Sequence, residues 1–189
     1  MTTARRSDRH EEPSAPDPSF TIRPIAPFDS LSDITDLLHR AYAPLRQQGL
    51  HYVASNQDEA TTRRRIARGE CYVVECDRRV VGTVTFRTAR ETRGCEWYDR
   101  AGVASFEQLA VEPDLQGRGI GGALVDIVEQ KARATGAVEI SLDTSEKAES
   151  LIAWYFRRGY RFVQWVRWEV VNYRSVVLSK DVRGDSGVV

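Results

Sequence analysis

Four glycines fall within six positions in Gln116-Gly117-Arg118-Gly119-Ile120-Gly121-Gly122, between a strand-like run and the start of an amphipathic helix. Glycine lacks a Cβ, so it admits positive φ and lets backbone N–H groups face outward without obstruction. A helix N-terminus adds partial positive charge. Together they form an anion site suited to phosphate; a tight turn alone would need fewer glycines. The run before the glycines, Val103–Val111, reads as a strand, and Pro113, which cannot donate to a ladder, stops it. The run after them, Gly119–Ala134, reads as a helix. Its stripe is Ile120, Ala123, Leu124, Ile127 and Val128, and Gly136 ends it.

The rest of the chain supplies elements for one core. Phe20–Ile25 reads as a strand. A helix capped by Ser30 or Ser32 carries Leu31, Ile34, Leu38, Ala41 and Leu45 on one face. Gln57–Arg68 reads as a polar helix. Cys71–Glu75 and Val80–Thr88 read as a hairpin across Asp77-Arg78-Arg79, with a loop at Ala89–Ala101. Val138–Asp143 reads as a strand and Glu146–Arg158 as a helix ended by Gly159; Tyr160–Trp168 and Tyr173–Leu178 close the chain as strands. The order is mixed α/β with antiparallel hairpins and one βαβ crossover. A length of 189 residues suits a single domain, expected over 19–180. The proline-bearing polar segment 1–18 is expected to be a disordered tail, and 181–189, with Gly184 and Gly187, a frayed one.

Composition narrows the function classes. Lys+Arg and Asp+Glu both number 27, and this zero balance argues against a dedicated nucleic-acid binder. No apolar run approaches the roughly 20 residues that span a bilayer, and the N-terminus lacks the apolar stretch of a secretory signal. The three cysteines, Cys71, Cys76 and Cys95, have neither CxxC spacing nor an even count. They read as idle thiols of a cytoplasmic protein that needs no metal or disulfide, a monomer or homodimer.

Gly117, Gly119 and Gly122 also fit G-x-G-x-x-G, and Asp143 lies near the distance expected of a ribose-binding acid, so a dinucleotide fold must be weighed. Against it, Pro113-Asp114-Leu115-Gln116 separates the strand from the first glycine, a hairpin precedes the unit, and too little chain follows for further parallel strands. A P-loop is excluded because no Lys-Ser/Thr pair follows the glycines.

The segment resembles the signature of the GNAT N-acetyltransferases, Gln/Arg-x-x-Gly-x-Gly/Ala after a strand, which Gln116-Gly117-Arg118-Gly119-Ile120-Gly121 matches. Gln108-Leu109-Ala110-Val111-Glu112-Pro113 resembles the family's strand and proline turn ahead of that signature. Ala153-Trp154-Tyr155-Phe156-Arg157-Arg158-Gly159-Tyr160 resembles its later helix-to-strand segment. The resemblance implies a mixed, mostly antiparallel sheet of about seven strands, about four flanking helices and a splayed parallel strand pair. It implies acetyl-CoA as co-substrate, with the pyrophosphate on the amides of Gly117, Arg118, Gly119, Ile120, Gly121 and Gly122 beside Gln116. The pantetheine would run along Leu109, Ala110 and Val111 like an added strand. One departure concerns an Asn that many members carry seven residues before the motif Tyr. Ala148 stands there, so that contact is missing or comes from Ser145 or Glu146.

Acetyl transfer to an amine needs a neutral amine and a proton for the leaving thiolate. By the resemblance Tyr155 is the candidate proton donor, although its place on an apolar stripe also suits a core residue. Glu107, on one strand face with Leu109 and Val111, is a candidate base, or else an ordinary solvated Glu. His51, Tyr42 and Tyr52 lie where the family lines its acceptor site, and Arg63-Arg64-Arg65 could steer an anionic acceptor. The expected activity is direct acetyl transfer from acetyl-CoA to a small-molecule or peptide amine. The alternatives are a CoA-binding module without catalysis and a dinucleotide-binding protein.

Overall fold

The computed structural model describes residues 20–183; the expected tail 1–18 and residues 184–189 lie outside the described residues. The elements run β1 (Thr21–Pro24), α1 (Leu31–Gln47), α2 (Glu59–Ile66), β2 (Glu70–Cys76), β3 (Arg79–Arg87), β4 (Val103–Val111), α3 (Ile120–Ala134), β5 (Glu139–Ser145), α4 (Glu149–Arg157), β6 (Arg161–Val166) and β7 (Ser175–Asp181). One sheet takes the order β1-β2-β3-β4-β5-β7-β6. Only the β4–β5 pair is parallel among the described strands, as expected of a mixed, mostly antiparallel sheet. A doubly wound parallel sheet is thereby excluded, and with it the dinucleotide alternative.

Local chemistry sets the boundaries. Ser30, not Ser32, caps α1 by accepting from the Asp33 N–H, and Asp58 caps α2 at Thr61. Asp77 and Arg78 both take positive φ (49° and 61°), the two-residue turn that matches the twist of a hairpin. β7 runs on to Asp181, past the expected end at Leu178, because its polar residues find partners inside. The Ser141 hydroxyl donates to Ser179 Oγ at 2.7 Å, and Lys180 Nζ meets buried Glu129 at 2.8 Å. Val182, expected to be frayed, is 1% exposed, and its N–H donates to the Val138 carbonyl. β6 stops at Val166 rather than Trp168, because the Trp168 indole leaves the sheet to donate to Asp143.

Helices cover both faces of the sheet. On one, Leu124, Val125 and Val128 of α3 pack with Val84, Phe86, Phe106, Ile140 and Leu142. On the other, Ile34, Leu37 and Leu38 of α1 pack on Cys71, Val73 and Ala110. The connection from β3 to β4 closes a third cluster, Cys95, Tyr98, Val103 and Val177. All three cysteines are buried and free, and burial pushes the thiols of Cys71 and Cys95 up. No helix among the described residues is long and apolar enough to cross a membrane.

The parallel pair positions the site. β4 and β5 pair only at Val103↔Glu139, Ala104↔Ile140 and Ser105↔Ser141, then part. Past that point the β3–β4 register shifts by one residue between Thr83 and Thr85, and Gln108 takes φ 56°. An extra residue on β4 bends that strand and increases its twist. Phe106–Val111 therefore runs without a strand on its β5 side, a gap within the sheet.

Candidate functional site

The glycine segment forms the N-terminus of α3 and the loop before it. Gly117 and Gly119 take φ 79° and 84°, a region in which other L-residues are strained. No backbone N–H from Gly117 to Gly122 donates to a backbone carbonyl among the described residues. α1 and α2 have side-chain caps and an acidic residue in the first turn; α3 has neither. Such an end keeps its orphan N–H groups and positive dipole available to an external anion. A Cβ on Gly117 or Gly119 would meet nothing within 4 Å, so the space above the loop is open. Gln116 fastens the loop to β4 by donating from Nε2 to the Val111 carbonyl at 3.1 Å.

One cavity of about 1290 Å³ extends from this loop through the gap between β4 and β5. It brings together Gln116, Gly117, Gly119, Gly121, Gly122, Leu109, Ala110, Val111, Glu107 and Tyr155. Arg118 and Ile120 do not line it: Arg118 is exposed, and the Ile120 side chain is in the core, which leaves Ile120 only its backbone to contribute. Tyr155 packs among Phe106, Trp154 and Tyr160 and is 3% exposed. Its hydroxyl nevertheless makes no hydrogen bond among the described residues, and burial holds its pKa well above the ordinary tyrosine value. It is thus a neutral O–H donor at neutral pH. Glu107 is not a solvated strand residue: Oε2 pairs with Arg65 at 2.6 Å, whereas Oε1 is buried without a partner.

The sequence model of the Acetyltransferase (GNAT) family matches residues 31–160. The chain belongs to the GNAT acetyltransferase family. It is 33% identical over 129 residues to the S-(2-succino)cysteine N-acetyltransferase of Bacillus subtilis (strain 168), covering 67% of this chain and 76% of that protein. It is 25% identical over 142 residues to the S-alkylcysteine N-acetyltransferase of the same organism, covering 72% and 76%. In fold it is similar to a GNAT acetyltransferase of Elizabethkingia anophelis solved with acetyl-CoA bound. There the TM-score is 0.60 and the identity 15%, over 86% of this chain and 97% of that one.

As a GNAT protein the chain keeps the glycine loop but replaces the usual Asn with Ala148, which is buried and lines the cavity. Neither proposed substitute stands free. Glu146 pairs with Arg174 at 2.7 Å, and Ser145 is fully buried, its Oγ accepting from the Lys147 N–H. Of the residues expected at the acceptor side, Tyr42 and Tyr52 line the cavity, while His51 is exposed and does not. The Tyr42 hydroxyl donates to the Leu109 carbonyl at 3.1 Å, and Tyr52 receives the Ser145 N–H at 3.0 Å; each braces one side of the gap. Arg64 and Arg65 line the cavity, whereas Arg63 pairs with Glu59 on the exposed side of α2.

Sequence reasoning missed the β5 side of the cavity. Asp143, weighed only as a ribose-binding acid, accepts from Trp168 Nε1 at 2.8 Å and Tyr98 OH at 3.2 Å. Burial raises its pKa. The folded protein therefore holds this proton at a pH where the unfolded chain, with a value of about 3.9, has lost it. Asp143 thus contributes stability at low pH that is lost as pH rises through its folded pKa. Asp143→Asn removes that loss while keeping the acceptor for Trp168. In urea melts, the stability of Asp143→Asn relative to wild type should rise as pH goes from 4 to 7; a flat difference would remove the buried charge from the account.

Proposed function

We propose that the protein transfers the acetyl group of acetyl-CoA to the α-amino group of an S-substituted cysteine. One observation carries the reading: a single cavity joins an uncapped, glycine-rich helix N-terminus to a gap in the sheet lined by Glu107 and Tyr155. The loop fits a pyrophosphate because its orphan N–H groups and dipole match an anion. The unpaired edge Phe106–Val111 fits an extended amide-bearing arm lying as an added strand. The relatives that act on S-(2-succino)cysteine and S-alkylcysteine support the acceptor class.

Bound acetyl-CoA supplies the acetyl group activated as a thioester. The chain's residues then divide the proton work. Glu107 Oε1, buried and unpaired, accepts the amine's proton directly or through one water. Arg65 holds the other oxygen and fixes the carboxylate. Tyr155 supplies a proton to the departing sulfur as the new amide forms, and solvent restores it. No bond to the enzyme is required.

The test is acetyl-CoA turnover with S-alkylcysteine and S-(2-succino)cysteine, beside calorimetric titration of CoA. Turnover at a kcat near 1–10³ s⁻¹, the usual enzymatic range, is expected. CoA binding with no turnover of either amine would leave a binding module and overturn the catalytic reading.

A further inference from the structure

We infer that the cavity contains a carboxylate subsite built from two arginine pairs, Arg87 at the end of β3 with Arg93 of the β3–β4 connection, and Arg64 of α2 with Arg68 just past its C-terminus. The acceptor accordingly carries a carboxylate on the arm beyond its amine. The inference rests on the proposed function and selects the acidic rather than the plain alkyl member of that acceptor class.

All four arginines line the cavity, and none pairs with a carboxylate among the described residues. The same cavity's other arginines are engaged, Arg65 by Glu107 and Arg158 by Asp126. Three of them border β4's N-terminal half: Arg87 lies opposite Ser105 in the ladder, Arg93 follows Thr92, whose hydroxyl meets that of Ser105, and Arg68 precedes Gly69, which backs onto Phe86 and Arg87. They thus stand past Glu107, away from the glycine loop. The lining acids do not offset them: Glu107 is neutralised by Arg65, buried Asp143 accepts from Tyr98 and Trp168, and Glu149 belongs to α4 beside Lys147.

A second observation points the same way. Buried polar atoms are nearly always hydrogen-bonded. Here Arg87 Nε, both polar atoms of the Gln108 carboxamide and Glu107 Oε1 are buried without partners, and all three residues line this cavity. Arg87 Nε and Gln108 Nε2 are orphan donors, and Glu107 Oε1 and Gln108 Oε1 are orphan acceptors. That set suits a zwitterionic amino acid with a further anionic arm, and it would leave a polyamine facing four uncompensated cations. Guanidinium groups favour carboxylates by paired, charge-assisted hydrogen bonds.

The test is calorimetry on the CoA-loaded protein with S-carboxymethylcysteine and its carboxamide, which differ only in the arm's charge. The carboxylate should bind wild type at least about tenfold more tightly, with an advantage that shrinks as salt rises. Arg87→Gln/Arg93→Gln and Arg64→Gln/Arg68→Gln should each remove most of that advantage, weakening the carboxylate far more than the carboxamide. Because Arg87 and Arg93 also donate to backbone carbonyls of their own loop, the Lys versions serve as the control and should restore part of the preference. Equal affinity for the two acceptors in wild type, failure of both to bind, or equal losses for both in every variant would overturn the subsite. The CoA titration separates this from failure of the acetyltransferase reading, since loss of the subsite leaves CoA binding intact.

Discussion

CoA should stabilise the wild-type protein against heat, and Gly119→Asp should abolish that shift. A ligand that binds only the native state adds RT ln(1 + [L]/Kd), about 2.7 kcal/mol at a hundredfold excess over Kd. For a domain of this size that is a rise in Tm of roughly 5–10 °C. Gly119 caps α3 at φ 84°, with open space where a Cβ would stand. An Asp side chain there would place a carboxylate among the N–H groups proposed to hold the pyrophosphate and repel it. Backbone strain could mimic the effect, so Gly119→Asn is the control. Asn has the same shape, tolerates the left-handed region and carries no charge. The Asn protein should keep a reduced shift and the Asp protein none. An undiminished shift in Gly119→Asp would place the cofactor elsewhere.

Tyr155→Phe should lower kcat by about 10²–10⁴-fold, the usual contribution of a positioned proton donor. Its ring packs against Phe106, Trp154 and Tyr160, and Phe keeps those contacts. The hydroxyl makes no hydrogen bond among the described residues, so its loss strands no partner and stability should change little. If the hydroxyl serves only the departing sulfur, Kd for CoA should stay near wild type, as for an interaction made in the transition state. Equal kcat in the two proteins, with chemistry rate-limiting, would remove Tyr155 from the mechanism.

The glycine-loop end of the cavity was legible because local chemistry wrote it: clustered glycines before an amphipathic stripe, a proline after a strand, Tyr155 at a fixed step from Gly159. Element boundaries were less so. Ser179 and Lys180 look like the end of a strand until Ser141 and Glu129 are seen to satisfy them. The opposite end of the cavity, the proposed acceptor side, was the least legible, because its residues meet only through the fold. Arg65 and Glu107 lie 42 residues apart, and Tyr98 and Asp143 lie 45 apart. No period or spacing in one sequence joins such pairs. Glu107 therefore reads from the sequence more readily as a solvated strand residue than as a base, and only the fold sets Arg65 against it.

The parting of β4 from β5 also bears on solubility. Unpaired strand edges invite pairing with other chains, and proteins blunt or cover them. Here the unpaired stretch of β4 lies in the middle of the sheet, with β1, β2 and β3 on one side and β5, β7 and β6 on the other. A second molecule's strand cannot reach it side-on without prising the two halves apart. An arm as narrow as a single extended chain can enter end-on. The fold thus keeps a reactive edge permanently available to a small ligand while denying it to its own neighbours.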